Sequence, residues 1–124
     1  MSQSLTRVLV VDDEDHVIQL VDLALRTEGF EVIAACNGQE GLQKAVSEKP
    51  DVILLDANLP DINGFEVCKR LKTSKNTRRI PILFLSAMSQ KQEVEKGLSV
   101  GAAAYITKPF QVKPLIQTIR QVLG

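Results

Sequence analysis

The chain alternates between short, wholly apolar runs and longer stretches in which apolar residues recur every three or four positions. Most of the short runs are aliphatic or β-branched and lack polar positions, which is typical of strands covered by helices on both faces. They predict strands near 6–11, 31–35, 51–55, 80–85 and 103–106. The longer stretches predict helices near 14–28, 38–48, 64–73, 90–99 and 112–123. Five strand–helix units with short connections predict an α/β fold with a doubly wound parallel sheet.

The helical stretches carry their own local signals. The first has an apolar stripe that is predicted to face the core, consisting of Val17, Ile18, Leu20, Val21, Ala24 and Leu25. Asn37 precedes the second, and Glu40 follows it three residues later, a spacing that predicts a capping box. The order of the strands does not follow from periodicity.

Length and composition indicate one globular domain over residues 1–124. The hydrophobic fraction of 44% and the charged fraction of 24% are ordinary for such a domain. Fifteen basic residues balance fifteen acidic ones, so net charge does not direct the chain toward nucleic acid or an anionic membrane. No apolar run approaches the roughly 20 residues of a membrane span, and Met1 to Ser4 do not form a secretory signal. We therefore expect a cytoplasmic protein.

The two cysteines, Cys36 and Cys68, lack the spacing of metal ligands. We expect them to be buried or half-buried free thiols in a reducing compartment.

Four apolar runs each end at a polar residue of chemical interest. The first ends at Asp12 and Asp13, the third at Asp56, the fourth at Ser86, and the fifth just before Lys108. Because ligands of open α/β sheets bind where the carboxyl ends of the strands meet, we expect these side chains to share one shallow cleft. Helix capping is the alternative role for each acid and for the serine, and a turn is a further alternative for Asp56.

Three carboxylates in one cleft would repel one another, and a divalent cation removes that repulsion. Mg²⁺ prefers oxygen ligands, so two or three carboxylates and a backbone carbonyl are sufficient to hold it. A carboxylate such as Asp56 also acts as a nucleophile toward phosphorus. The ammonium of Lys108 suits a role in pairing with Asp56 and then with phosphate oxygens.

The order and spacing of these motifs resemble the receiver domain of two-component response regulators, from Val8 to about Leu123. The resemblance is carried by Asp12-Asp13, by Leu55-Asp56 with Leu59-Pro60 and Gly64, by Ser86-Ala87, and by Gly101-Ala102 through Tyr105 to Lys108-Pro109-Phe110. It implies a flavodoxin-like five-stranded sheet of order 2-1-3-4-5. Ala103 and Ala104 stand where acids help one large class of DNA-binding relatives to form salt bridges across a dimer face, so we do not expect that particular dimer. We expect a monomer when the domain is unphosphorylated.

The resemblance implies a role for the charged residues at the strand ends. Asp56 corresponds to the phospho-acceptor, and Lys108 corresponds to the lysine that contacts the phosphoryl group. The Mg²⁺ ligands correspond to the carboxylates of Asp12, Asp13 and Asp56 and the backbone carbonyl of Asn58. Mn²⁺ is an alternative ion.

The resemblance also implies the parts of a conformational switch. Ser86 matches the hydroxyl that moves onto the phosphoryl group, and Tyr105 matches an aromatic residue that rotates between outward and inward states. Asn58 and Met88, each two residues beyond a reactive residue, match positions that tune the lifetime of the phosphoryl group. The Lys108–Pro109 bond corresponds to a cis peptide bond.

The partners implied by the resemblance are a sensor histidine kinase or a histidine phosphotransfer protein as donor, and an unknown downstream protein. The downstream protein would contact the surface of the fourth helix, fifth strand and fifth helix, with candidate residues Lys91, Glu95, Lys113 and Gln117. We expect no direct contact with nucleic acid or membrane. We also expect no enzymatic activity beyond the domain's own phosphorylation and dephosphorylation, because no second domain follows the last helix in this sequence. A stand-alone regulator and a receiver from a longer protein both fit.

Three other classes remain as alternatives: a pseudo-receiver, a flavodoxin-like cofactor binder and an aspartate-dependent phosphatase. The acids that follow the first strand would repel a cofactor phosphate, and the phosphatase would usually need a second acid at the position of Asn58. We do not expect His16 to carry a phosphoryl group. The basic residues between Lys69 and Arg79 are interpreted as a solvated cluster near a helix C-terminus.

Overall fold

The computed structural model describes residues 5–124, which contain five parallel strands and five helices in strict alternation. The elements are β1 (Arg7–Val11), α1 (Asp15–Thr27), β2 (Glu31–Ala35), α2 (Gly38–Ser47), β3 (Val52–Leu55), α3 (Gly64–Thr73), β4 (Ile82–Ser86), α4 (Lys91–Ser99), β5 (Ala104–Thr107) and α5 (Val112–Leu123). The sheet order is β2-β1-β3-β4-β5. The α/β class and the strand order 2-1-3-4-5 are therefore confirmed. Met1 to Ser4, which the sequence predicts not to be a secretory signal, lie outside the described residues.

The sheet has an apolar core on each face, as wholly apolar strands require. On β1, Leu9 and Val11 face the core shared with α2, α3 and α4, while Val8 and Val10 face the core shared with α1 and α5. Strands β1, β3 and β4 form the middle of the sheet and are almost completely buried. Each aliphatic side chain removed from water in this way contributes about 1.5–3 kcal/mol.

The strand register brings the polar residues to one edge of the sheet. Val11 lies beside Leu55, and Ser86 lies beside Thr107. Hydrogen bonds continue past the strands, since the amide of Asp12 donates to Ala35 and the amide of Asp56 donates to Val11, both at 3.0 Å. The residues that follow β1, β3, β4 and β5 are consequently neighbours.

Two residues differ in burial from the sequence prediction. Leu20 is 48% exposed, because the buried stripe of α1 narrows to the i, i+4 line of Val17, Val21 and Leu25. Cys36 is exposed rather than half-buried, because it follows the edge strand β2.

The predicted capping box of α2 is only half present. The Asn37 side chain accepts a hydrogen bond from the amide of Glu40 at 2.8 Å, as predicted. The Glu40 carboxylate, however, accepts from the amide of Cys36 at 2.6 Å rather than from Asn37. Among the described residues, no helix has the length and apolar character needed to cross a membrane.

The two free cysteines should differ sharply in reactivity. Burial raises the pKa of the Cys68 thiol to about 11, whereas the Cys36 thiol is exposed. At about pH 8 we expect Ellman's reagent to titrate one thiol in the native protein and both after denaturation, because the thiolate is the reactive form. The Glu40 carboxylate raises the pKa of the Cys36 thiol, so the first reaction should be slow but complete.

Cys36→Ser should remove the native reaction and Cys68→Ser should leave it intact. Two reactive thiols in the native protein would contradict the burial of Cys68.

Candidate functional site

Three carboxylates converge at the edge of the sheet. One oxygen from each of Asp12, Asp13 and Asp56 lies within 4.8 Å of the other two. Asp12 is 1% exposed and Asp56 is 5% exposed, while Asp13 is exposed to solvent. The cluster is therefore rigid and buried on the side of the sheet and open on the side of Asp13.

Backbone amides orient the two buried carboxylates. The Oδ1 atom of Asp12 accepts from the amide of Glu14 at 2.9 Å, and the Oδ1 atom of Asp56 accepts from the amide of Asn58 at 3.0 Å. Helix α1 begins at Asp15, and Glu14 in its N-cap position makes no side-chain capping bond. The acidic residues after β1 thus form a local turn and leave the second oxygen of Asp12 free for other contacts.

Lys108 occupies the centre of the carboxylate cluster. Its Nζ atom lies 2.7 Å from Asp12 Oδ2, 3.2 Å from Asp56 Oδ2 and 3.2 Å from Glu14 Oε1. Its amide donates to the Ser86 carbonyl at 2.8 Å, and the Lys108–Pro109 peptide bond is cis. Lys108 is therefore held both at its backbone amide and at its ammonium group.

Burial and charge oppose each other at this lysine. Burial alone would lower the pKa of Lys108, but hydrogen bonds and attraction from the carboxylates of Asp12 and Asp56 outweigh burial and raise the pKa above its ordinary value. At Asp12 burial wins and raises the pKa of the carboxyl, although Lys108 and the amide of Glu14 favour the charged form. Lys108 is consequently a permanent cation at neutral pH.

The donor set fits a hard divalent cation. Lys108 is a single positive charge among four carboxylates, those of Asp12, Asp13, Glu14 and Asp56, so the cluster has room for more positive charge. Carboxylate oxygens in this number are the ligands that Mg²⁺ prefers, and receiver domains as a family bind Mg²⁺ at such an aspartate cluster.

A small cavity of about 170 Å³ opens above Asp56. Asn58, Ser86, Met88 and Lys108 are among the residues that line it. Sites for organic ligands typically enclose about 300–1,000 Å³, so this cavity suits a group of phosphoryl size better than a flavin or nucleotide. The Oγ atom of Ser86 accepts from the amide of Met88 at 3.1 Å, so this serine forms a local turn rather than the predicted alternative of a helix cap, since the N-cap of α4 is Gln90.

Tyr105 is half-buried between the loop after β4 and helix α4. Its hydroxyl donates a hydrogen bond to the Met88 carbonyl, and its ring centroid lies 5.5 Å from that of Phe84. A Cβ atom at Gly97 of α4 would stand 2.8 Å from the ring, so the glycine makes room for this orientation. Burial is the main cause of the raised pKa of the Tyr105 hydroxyl.

The residues predicted to contact a downstream partner lie on two helices, and the pair on α5 lines a groove with Glu28 at the end of α1. All four are exposed on α4 and α5, namely Lys91, Glu95, Lys113 and Gln117. The single histidine, His16, is 78% exposed and lies 3.5 Å from Glu14.

Two features of the site were missed by sequence analysis. One is the contact of Glu14 with Lys108, for which the only sequence signal is its position directly after the acidic pair. The other is an apolar recess of about 360 Å³ that adjoins the cavity and is lined in part by Leu20, Pro109 and Phe110. The only sequence signal for this recess was Leu20, an apolar residue on the outer side of the α1 stripe.

Comparison with known proteins matches the site and the fold to one family. The family model for the response regulator receiver domain matches residues 8–120. The chemotaxis response regulator CheY4 of Vibrio cholerae is 34% identical, with a TM-score of 0.90 over 96% of this chain and 99% of that one. A CheY-like receiver domain protein from Methanospirillum hungatei is 30% identical, with a TM-score of 0.90 over 97% of this chain and 94% of that one.

The curated relatives are longer proteins. The alkaline phosphatase synthesis transcriptional regulatory protein PhoP of Bacillus subtilis is 41% identical over 94% of this chain and 48% of its own length. The DNA-binding dual master transcriptional regulator RpaA of Synechocystis is 39% identical over the same shares of each chain. The chain therefore spans about half the length of these curated relatives.

The excess of negative charge in the cluster should cost stability when no cation is added. We expect Asp13→Asn to increase the free energy of unfolding by roughly 0.5 kcal/mol at low ionic strength, because one of several like charges is removed from a solvent-exposed position. Urea unfolding with a chelator present measures this difference, and added salt should reduce it.

Asp15→Asn is the matched control, since Asp15 is also exposed but lies in the first turn of α1. There a negative charge is favourable to the helix, so this variant should be slightly less stable than wild type. Equal destabilisation by both substitutions would contradict repulsion within the cluster.

Proposed function

The chain belongs to the response regulator receiver domain family, and on that premise we propose that Asp56 accepts a phosphoryl group from a phosphohistidine of a partner protein. Members of the family act in two-component signalling, where they interact with histidine kinases or phosphotransfer proteins and with downstream targets. The observation that carries the proposal is the position of Lys108, whose ammonium joins Asp12 and Asp56 beneath a cavity of phosphoryl size.

In the proposed reaction an oxygen of Asp56 attacks phosphorus, the phosphorus–nitrogen bond of the donor breaks, and the departing imidazole takes up a proton. The amide of Asn58 holds Oδ1 of Asp56, so the carboxylate keeps one orientation during the attack. Lys108 pairs with Oδ2 of Asp56 before transfer. After transfer it pairs with a phosphoryl oxygen, because the Asp56 carboxylate loses its negative charge when the acyl phosphate forms.

Mg²⁺, or Mn²⁺ in its place, would be held by the carboxylates of Asp12, Asp13 and Asp56 and by the backbone carbonyl of Asn58. When bound it supplies positive charge that offsets repulsion between the anionic donor and the acidic cluster.

The cavity wall supports a link between phosphorylation and the partner surface. Ser86 accepts a hydrogen bond from the amide of Met88, so its own proton is free to be donated to a phosphoryl oxygen. Tyr105 binds the carbonyl of the same methionine, so movement of this loop would also displace Tyr105. We infer that Lys91 and Glu95 on α4, with Lys113 and Gln117 on α5, form the surface that a downstream protein recognises.

Two residues at the rim of the cavity suit a role in controlling the access of water and the lifetime of the phosphoryl group. Asn58 and Met88 line the cavity, where their side chains would govern the approach of water to a phosphorylated Asp56. The apolar recess beside the cavity, which includes Leu20 and Phe110, offers a contact for an apolar helix that presents the donor histidine. We place this chemistry in the cytoplasm, where the donor kinases of the family act.

The proposal is tested by intact mass after incubation with acetyl phosphate. We expect one phosphoryl addition to wild type in the presence of Mg²⁺ and none after chelation, because the acidic cluster repels the donor without a cation. Asp56→Asn should gain no mass, since an amide does not form the acyl phosphate.

Asp51→Asn is a matched control for the loss of an aspartate, because Asp51 lies at the opposite end of β3 and accepts from the amide of Arg7 at 2.8 Å, and it should still be phosphorylated. Failure of wild type to gain mass from acetyl phosphate and from a phosphorylated donor protein would contradict the proposal and favour a pseudo-receiver. Release of phosphate from added substrates with turnover would instead favour a phosphatase.

Glu14 should restrain the reaction. It adds negative charge at the cavity and contacts Lys108 from a half-exposed position, so it competes with an anionic donor for the ammonium. We expect Glu14→Gln to be phosphorylated by acetyl phosphate about threefold faster, which corresponds to the weak free energy of an exposed ion pair. The rate of mass gain measures this effect.

Glu28→Gln is the control, because Glu28 follows α1 and pairs with Arg120 instead. A slower reaction of Glu14→Gln would show that the carboxylate assists transfer rather than restrains it.

A further inference from the structure

The loop between β3 and α3, residues 56–63, is hydrogen-bonded to a distant helix through Asp61. Its Oδ1 atom accepts from the amide of Gly38 at 2.7 Å, and its Oδ2 atom accepts from the amide of Gln39 at 2.9 Å. These are the first two residues of α2, and they lie more than twenty positions earlier in the chain. Amides at a helix start have no partner within the helix, so one carboxylate satisfies two of them.

Helix α2 has a second N-terminal cap besides Asp61. The Asn37 side chain accepts from the amide of Glu40 at 2.8 Å, and the Asn37 carbonyl accepts from the amide of Gly41 at 3.0 Å. Asn37 thus caps the helix from within, while Asp61 caps it from the loop. Only the second cap fixes the position of one segment relative to the other.

The same loop carries a residue of the proposed cation site. At its beginning, the amide of Asn58 donates to Asp56, and at its end the amide of Gly64 donates to the Ala57 carbonyl at 2.9 Å. These bonds close the base of the loop, and Asp61 holds its tip. A Cβ atom at Gly38 would lie 3.1 Å from Ile62 Cβ, so helix and loop are already in close contact and have little room to shift while the bonds are intact.

We propose that Asp61 is a positioning residue that, by binding the start of α2, holds the loop so that the Asn58 carbonyl faces the carboxylates of Asp12, Asp13 and Asp56. The affinity of the site for a divalent cation then depends on the hydrogen bonds between Asp61 and the first two amides of α2. This inference rests on the proposed cation site, and it adds a residue that has no contact with the reacting atoms.

The test is the affinity for Mn²⁺, measured by electron paramagnetic resonance of the free ion with no phosphodonor present. Groups that orient metal ligands typically change affinity by about 10-fold or more when they are removed, and we expect Asp61→Ala to raise the dissociation constant by about that factor. Asp61→Asn retains one acceptor oxygen and should show a smaller increase.

Asn37→Ala is the matched control, because it removes the other cap of α2 and leaves the loop untouched. It should lower the thermal midpoint at least as much as Asp61→Ala while leaving Mn²⁺ affinity close to that of wild type. This split between stability and affinity would support positioning.

Equal affinity in wild type and both Asp61 variants would overturn the inference, as would an equal loss of affinity in Asn37→Ala. Failure of the proposed function has a different signature, since wild type would then neither bind Mn²⁺ nor accept a phosphoryl group, and the inference would fall with it. If Asp61→Ala does not fold, Asp61→Asn and Asn37→Ala decide between the outcomes.

Discussion

One ammonium group among carboxylates is the interaction on which the site depends. Removing a carboxylate from water costs several kcal/mol unless it is paired, and both Asp12 and Asp56 are almost fully buried. Lys108 contacts both, which makes their burial tolerable. Because a single lysine contacts three acids and a fourth, Asp13, lies beside them, the cluster keeps an excess of negative charge. The domain is thus stable enough to fold and still able to attract a cation.

The buried acids depend in turn on how the chain leaves each strand. One oxygen of Asp12 and one of Asp56 accept from a backbone amide two residues later, and the other oxygen contacts Lys108. A Cβ atom at Gly64 would lie 2.2 Å from the Asp56 carbonyl, so the loop closes tightly only with glycine there. The reactive carboxylate is therefore oriented by backbone geometry, which leaves side chains such as Asn58 and Met88 free to vary its surroundings.

Much of this arrangement was predictable. The apolar runs predicted the ends of every strand to within about two residues, because strands covered by helices on both faces consist almost entirely of apolar residues. The tendency of ligand-binding residues to lie at strand ends then predicted that Asp12, Asp56 and Lys108 are neighbours. The prediction was wrong where burial depends on neighbours, as for Leu20, whose place on α1 looks apolar by spacing but faces a recess open to solvent.

Local periodicity and the residues that interrupt it were sufficient to predict the helices and strands, the parallel sheet and the polar residues at the strand ends. The strand order was predicted from the resemblance to receiver domains, because the spacing of apolar residues does not indicate which strands pair. Three contacts became evident in the folded chain alone: Glu14 with Lys108, Tyr105 with Gly97, and Asp61 with the start of α2. Each of these contacts joins separate segments, and their approach depends on the paths of crossovers and on side-chain rotamers, neither of which leaves a repeat in the sequence.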